Sequence, residues 1–322
     1  MTACLRDDPD SLNALVLRVA GDTNVEPSYV EKDFWATEVL RIASRSRPIV
    51  GSDEPVEFVF KGGTSLSRVF GLIDRFSEDI DLLVAFPQGP GANARHAVLK
   101  QVDAEIRAHL VTRGIVGPST TGVKRDTTYV YASSFSGGAI KERILLEMGS
   151  RGGTQPVSSH PFRSMIAIYA DEVLGEPASE WEEFASFDVK VLAPERTLLE
   201  KLAGVHAAAS AGDTNAILKA GRHFYDIARL LEAPLVTDAL DALGLDGVRA
   251  LAADIDRHSQ SAGFAWDVRP EGGYAESPAF NAGVETFPFI VRGYDAALTL
   301  VYGRRPSLTE VFDVVQQNRD RL

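Results

Sequence analysis

VEFVFKGGTSLSRVFGLIDRFSEDIDLLVAF, residues 56–86, holds two short apolar, β-branched runs, VEFVF at 56–60 and IDLLVAF at 80–86. Each has the length and composition of a buried strand. Gly62 and Gly63 follow the first run and mark a turn, and a short helix is expected over 64–70. Asp79 and Asp81 stand one residue apart where the second strand begins. Period-two alternation puts both carboxylates on one face and turns Glu78 away from them.

Each part of this stretch suits phosphate chemistry. Gly62 and Gly63 leave no Cβ in the way of an approaching group. They also open a helix, whose free N–H groups and dipole favour phosphate oxygens. Ser65 adds a hydroxyl in the first helical turn. Lys61 and Arg68 carry charge that either attracts phosphate or is simply solvated. Two carboxylates on one strand face suit a hard divalent cation, Mg²⁺ or Mn²⁺, which clamps the attacking and leaving oxygens of an in-line displacement. A glycine pair alone is commonly a tight turn, and Asp-x-Asp alone is commonly a solvated strand end. In this order and at this spacing they point together to nucleotide transfer.

Working outward, 9–20 and 28–45 read as amphipathic helices, the second with Val30, Phe34, Val39, Leu40 and Ile42 near helical spacing. A further helix is expected over 93–113. TTYVYASSF at 127–135 and ERILLEMGS at 142–150 read as strands linked through SGGAIK, and FRSMIAIYADEVL and SFDVKVL are strand candidates. From Pro194 onward the chain reads as helices near 195–209, 214–232, 236–258, 290–302 and 307–319. The expected class is α+β. Residues 1–190 would form a mixed-sheet catalytic domain with N-terminal helices, and 191–322 a helical domain. A length of 322 residues also favours two domains over one.

Three residues outside the opening stretch are candidates for the same chemistry. Glu147, in the strand candidate ILLEMG, can be a third metal-binding carboxylate or a polar residue at a strand end. Lys201 sits among Leu198, Leu199, Leu202 and Val205. It either snorkels to the surface or offers a point charge to a triphosphate. Asp226 lies at the polar edge of an aromatic helix, as a cap, a surface group or a partner of such a cation.

Other chemistries drop out. GGTSLSR lacks the GxxxxGK[ST] spacing of a Walker loop, and no GxGxxG follows a strand. Cys4 is the single cysteine, so neither a disulfide framework nor a cysteine zinc site can form. The six histidines include no H-x₃-H pair. A net charge of −12 argues against nonspecific coating of nucleic acid. Charge is uneven, however: 101–150 carries six Lys/Arg against five Asp/Glu, so a nucleic-acid partner would be gripped locally. No run of about 18 apolar residues occurs, so no membrane span is expected. The acidic start does not read as a signal peptide, which makes the cytoplasm the expected location.

FKGGTSLSRVF, RFSEDIDLLV, VLAPERTLLEKL and RHFYDIARLL occur in the order found in the AbiEii/AbiGii nucleotidyltransferase toxin family, which the chain resembles over about residues 30–235. That family belongs to the DNA polymerase β-like nucleotidyltransferase superfamily. The resemblance implies a mixed-sheet catalytic domain, a helical domain and an active site in the cleft between them. It implies triphosphate contacts at Gly63 and Ser65, metal at Asp79 and Asp81 with Ser77 beside them, and catalytic roles for Lys201 and Asp226. It further implies an NTP substrate, the tRNA 3′ end as acceptor and a cognate antitoxin. A protein hydroxyl as acceptor, or a nucleotide-binding protein without catalysis, are the alternatives. The chain departs from the family pattern at Arg68, where Lys is frequent, at His223, where an acidic residue is frequent, and in the insertion-like AAASAGDTN at 207–215.

Overall fold

The computed structural model describes residues 3–77, 79–135 and 141–322. The expectation for Glu78 and most of the SGGAIK link lie outside the described residues. Helices α1 (Pro9–Thr23) and α2 (Pro27–Ala43) precede strand β1 (Glu57–Lys61) and helix α3 (Gly62–Arg68). Strand β2 (Asp79–Ala85), helix α4 (Ala92–His109) and strands β3 (Gly114–Thr120), β4 (Lys124–Val130), β5 (Arg143–Gly149) and β6 (Val157–Phe162) follow. Helix α5 (Met165–Tyr169) and strand β7 (Phe187–Leu192) lead into α6 (Pro194–Ser210), α7 (Thr214–Lys219), α8 (Gly221–Leu231), α9 (Pro234–Ala262), α10 (Phe287–Leu298) and α11 (Leu308–Gln317).

The chain forms two compact units. Of the described residues, the first takes 3–60, 79–135, 141–150 and 158–191, and the second takes 61–77, 151–157 and 192–322. The sequence reading puts all of 1–190 in one domain, whereas the contacts group the glycine turn and its helix with the C-terminal residues.

The first unit is built on a seven-stranded sheet in the order β3-β4-β5-β2-β1-β7-β6. β2 runs parallel to β5 and β1 parallel to β7, while β4 is antiparallel to β3 and β5, so the sheet is mixed. Alternation does the sorting. Ile80 and Leu82 of β2 and Ile144, Leu146 and Met148 of β5 are buried on one face. Their neighbours Asp79, Asp81 and Glu147 lie on the other, partly open one. Helix α2 buries the expected Val30, Phe34, Val39, Leu40 and Ile42, but it also buries Glu31, Asp33, Glu38 and Arg41. Each of these charges finds a partner. Glu38 bonds Arg41 at 2.9 Å and His109 at 2.8 Å. Asp33 accepts from the Met165 N–H at 2.6 Å, and Glu31 from the Ser133 hydroxyl at 2.6 Å.

Two stretches of the first unit differ from the sequence reading. FRSMIAIYADEVL is not a strand: the chain turns helical at Met165, where the Ser164 side chain caps α5 by accepting from the Ala167 N–H at 3.1 Å. Strand β3 has no apolar alternation to announce it, because it is exposed nearly throughout. Pro118 within it suits an edge strand, where no ladder bond is lost.

The second unit packs Leu198, Leu202, Phe224, Ile227 and Leu231 with Tyr274, Ile290, Tyr294 and Val311. Leu66 of α3 and Ile73 belong to this same core, which is why 61–77 group with the C-terminal helices. The segment is pinned further by a bridge between Arg75 and Val301, and by the Tyr225 hydroxyl bonded to the Asp74 N–H at 3.1 Å. The helix expected over 214–232 is two helices with a break at Ala220. Gly221 sits there against the Gly293 carbonyl, where a Cβ would collide. Helix α9 kinks at Gly244, whose φ of 63° is not helical. Among the described residues no helix is long and apolar enough to cross a membrane.

Candidate active site

The paired aspartates occupy the positions their spacing required. Parallel register sets Asp81 of β2 opposite Glu147 of β5, and antiparallel register sets Glu147 opposite Asp126 of β4. Three carboxylates therefore stand side by side across adjoining strands, with Asp79 two residues before Asp81 on the same face. Lys124 joins the row, its Nζ 2.8 Å from Asp126 Oδ2. Burial, then the charges of Asp81 and Asp126, push the Glu147 carboxyl up to about 7, and Lys124 offsets only part of this. The Lys124 ammonium is held charged by its bond to Asp126 and by the nearby Glu147 and Asp81.

The glycine turn belongs to the second unit. Gly62 has φ 82°, a conformation that L side chains rarely adopt. Gly63 is needed for a different reason. A Cβ there would lie 2.7 Å from Arg75 Nη2 and 2.8 Å from Ser77 Oγ, so Gly63, Arg75 and Ser77 form one tight cluster. The Ser65 side chain is fully buried and its hydroxyl donates to the Gly62 carbonyl at 2.9 Å, closing the turn on itself. Arg68 is partly buried at the other end of α3.

Lys201 and Asp226 meet directly. Lys201 does not snorkel: it is 8% exposed, and its Nζ lies 2.8 Å from Asp226 Oδ2. Asp226 is 0% exposed and sits in the middle of α8, which rules out a surface or capping role. A third group completes the set. Arg75 donates to both oxygens of Asp226, from Nε at 2.6 Å and Nη2 at 2.7 Å, the bidentate geometry that guanidinium suits. Burial acting alone would raise the Asp226 carboxyl, but the Lys201 and Arg75 charges and bonds outweigh it and hold it well below the usual carboxylate range. His223 stands in the same environment. Burial, then the Lys201 charge, lowers its imidazole to about 3, so it is neutral near pH 7.

Asp126, Lys124 and Arg75 go unread in the sequence. Lys124, Asp126 and Thr128 alternate with period two, a signal that a strand begun at 124 reveals. Arg75 carries no comparable signal, because its partner lies 151 residues away. Among the described residues no group of three or more His, Cys, Asp or Glu side chains is placed so that it could hold a metal ion. The donor chemistry nevertheless fits a hard divalent cation, since the side chains set beside one another by the strand register are carboxylates that offer oxygen ligands.

A mixed sheet with an aspartate pair on one strand, preceded by a strand–glycine turn–helix and followed by a helical unit, is the build of a nucleotidyltransferase. The family model described as "Nucleotidyl transferase AbiEii toxin, Type IV TA system" matches residues 46–285. The chain belongs to this family, an enzyme family of toxins from toxin–antitoxin systems, and every candidate residue named above lies within the match. No curated protein matches the chain.

Proposed function

We propose that the chain transfers a nucleoside monophosphate from an NTP to an RNA hydroxyl, the 3′ end of tRNA, and thereby blocks translation until a cognate antitoxin neutralises it. The observation that carries this reading is the strand face that Asp79, Asp81 and Glu147 share. In the reaction the acceptor oxygen bonds to the α-phosphorus, the bond from that phosphorus to the bridging oxygen breaks, and pyrophosphate leaves with the hydroxyl's proton released.

Asp79, Asp81 and Glu147 would hold Mg²⁺ or Mn²⁺, which when bound lowers the hydroxyl's pKa and neutralises charge developing on phosphate. Lys201 supplies a compact positive charge for phosphate oxygens. An ammonium has three donors, and the bond to Asp226 uses one. Asp226 and Arg75 fix the direction of that ammonium, a positioning role. Gly62 sets the turn, and the first N–H groups of α3 supply donors that favour phosphate. Ser77, packed against Gly63, adds a hydroxyl, and Arg68 adds charge at the far end of the helix. In this reading both residue sets serve the same transfer, in the cytoplasm, where NTP and tRNA are found.

Purified full-length protein incubated with total tRNA and each α-labelled NTP in turn tests the proposal. Label should move to tRNA and should be lost when the tRNA 3′ end is oxidised by periodate beforehand. Label on protein alone would replace RNA by a protein acceptor. No transfer at all, with NTP bound, would mean a nucleotide-binding protein without catalysis.

A further inference from the structure

The second unit contains a cavity of about 220 Å³ that none of the roles above uses. Its walls come from the 151–153 segment, α6, the C-terminal turns of α9 and the loop that follows. Arg151 ties two of these walls together by donating from Nη1 to the Ala262 carbonyl at 2.7 Å. The loop is fixed at both ends. Gly263 closes α9 with φ 71°, and the Phe264 N–H bonds the Ser259 carbonyl at 2.9 Å. Four residues on, the Val268 carbonyl lies 3.1 Å from His206 Nε2. Phe264 and Trp266 nevertheless stay 57% and 43% exposed while lining the cavity. Two large aromatic rings anchored this way and left facing solvent are a costly surface unless something covers them.

Arg196 also lines the cavity. Arg196 is 1% exposed, and its Nε and Nη1 are committed to Glu200 at 3.1 Å, Gln155 O at 2.6 Å and Asp254 at 2.8 Å. Its Nη2 is buried and has no hydrogen-bond partner among the described residues. It packs against Gly153, where a Cβ would collide with it. Glu200 and Asp256 add acceptors to the same lining. Lys61 reaches the cavity too, one residue before Gly62. The cavity thus adjoins the turn read above as the phosphate end.

From these features we infer that the cavity bounded by Arg196, Gly153 and Trp266 receives a nucleobase. Its plane stacks on Trp266 or Phe264, and its exocyclic amino groups face Glu200 or Asp256. The cavity falls below the usual range of sites for whole drug-sized ligands, about 300–1,000 Å³, and suits one ring system rather than a complete nucleotide. Aromatic stacking beside cationic side chains is the way proteins hold unpaired bases. The base belongs either to the incoming NTP or to the terminal nucleotide of the acceptor. The inference rests on the nucleotidyltransfer reading, because that reading supplies the base.

Binding measurements separate the two. Full-length wild type, Trp266→Ala and Trp266→Phe are titrated with inorganic triphosphate, each of the four NTPs and a tRNA acceptor-stem minihelix ending in CCA. Trp266 is half-exposed, so its removal leaves the fold intact, which circular dichroism checks. Trp266→Ala should weaken a base-carrying probe about tenfold, Trp266→Phe should restore most of the loss, and inorganic triphosphate should bind unchanged. A loss confined to NTPs assigns the cavity to the incoming base, and a loss confined to the minihelix assigns it to the acceptor. Equal binding of every probe to wild type and Trp266→Ala overturns the inference while leaving nucleotidyl transfer intact. Wild type that binds neither triphosphate nor RNA overturns the transfer reading on which it stands.

Discussion

Replacing Asp226 by Asn keeps the shape of the side chain and removes its charge. The consequence follows from burial. Arg75 is 2% exposed and Lys201 8% exposed, and both direct their charge onto a carboxylate with no exposure of its own. The substituted amide would leave two desolvated cations sharing one neutral oxygen. Breaking a buried ion pair from one side costs about 3–5 kcal/mol, and nothing in this arrangement lets solvent reach the stranded guanidinium. The folded Asp226 carboxyl titrates below its unfolded value. Its contribution is therefore complete above the ordinary carboxylate range and is lost only as pH falls through the depressed value. Urea denaturation at neutral pH, followed by far-UV circular dichroism, should show the full loss. A second variant, Arg75→Gln, removes one stranded charge. The double variant should be less destabilised than the sum of the two singles, by roughly 0.5–3 kcal/mol, because the residues touch. A loss below about 1 kcal/mol for Asp226→Asn, or strict additivity with Arg75→Gln, would refute the claim that this triad is a single coupled unit.

Three other outcomes are expected. Without divalent cations, stability should fall as pH rises between the ordinary glutamate range and about 7, because the folded Glu147 carboxyl holds its proton more tightly than the unfolded one. Glu147→Gln should flatten that slope in urea titrations, and an unchanged slope would assign it elsewhere. Gly63→Ala should destabilise the protein by about 1–3 kcal/mol, the range for forcing extra volume into a packed site. Its Cβ would meet Arg75 and Ser77, and a neutral melting temperature would show that the cluster yields easily. Lys201→Ala should lose most transfer activity and Lys201→Arg should recover little, since a planar fork does not replace a compact ammonium in a buried slot; full activity in the Arg variant would remove the point-charge role.

What could be read from the sequence divides along the range of the interactions involved. Asp79, Asp81 and Glu147 follow from strand alternation, a local rule that needs no knowledge of partners. Asp126 obeys the same rule but is lost when the strand is begun at Thr127, three residues late. The charges on α2 look like its solvent face in the sequence. They are buried because Ser133, His109 and Met165, all distant along the chain, come to meet them. Arg75 reads as an ordinary surface arginine until Asp226 is brought beside it. Strand β6 is polar, with Ser158, Ser159 and His160, so no hydrophobic pattern marks it. The apolar run after it is a helix because Ser164 caps its first turn. The grouping of 61–77 with the C-terminal helices depends on Leu66 and Ile73 entering their core, a choice that composition does not express.

The carboxylate row and its part in nucleotidyl transfer meet their most direct test in a comparison of two proteins. Pyrophosphate release is followed with tRNA, NTP and Mg²⁺, using wild type and Asp81→Asn at matched folded concentration. Wild type is expected to release pyrophosphate in step with nucleotide added to RNA, and Asp81→Asn to be slower by at least about a hundredfold with an unchanged melting curve. Near-equal rates for the two proteins would contradict the assignment of this strand face as the catalytic site.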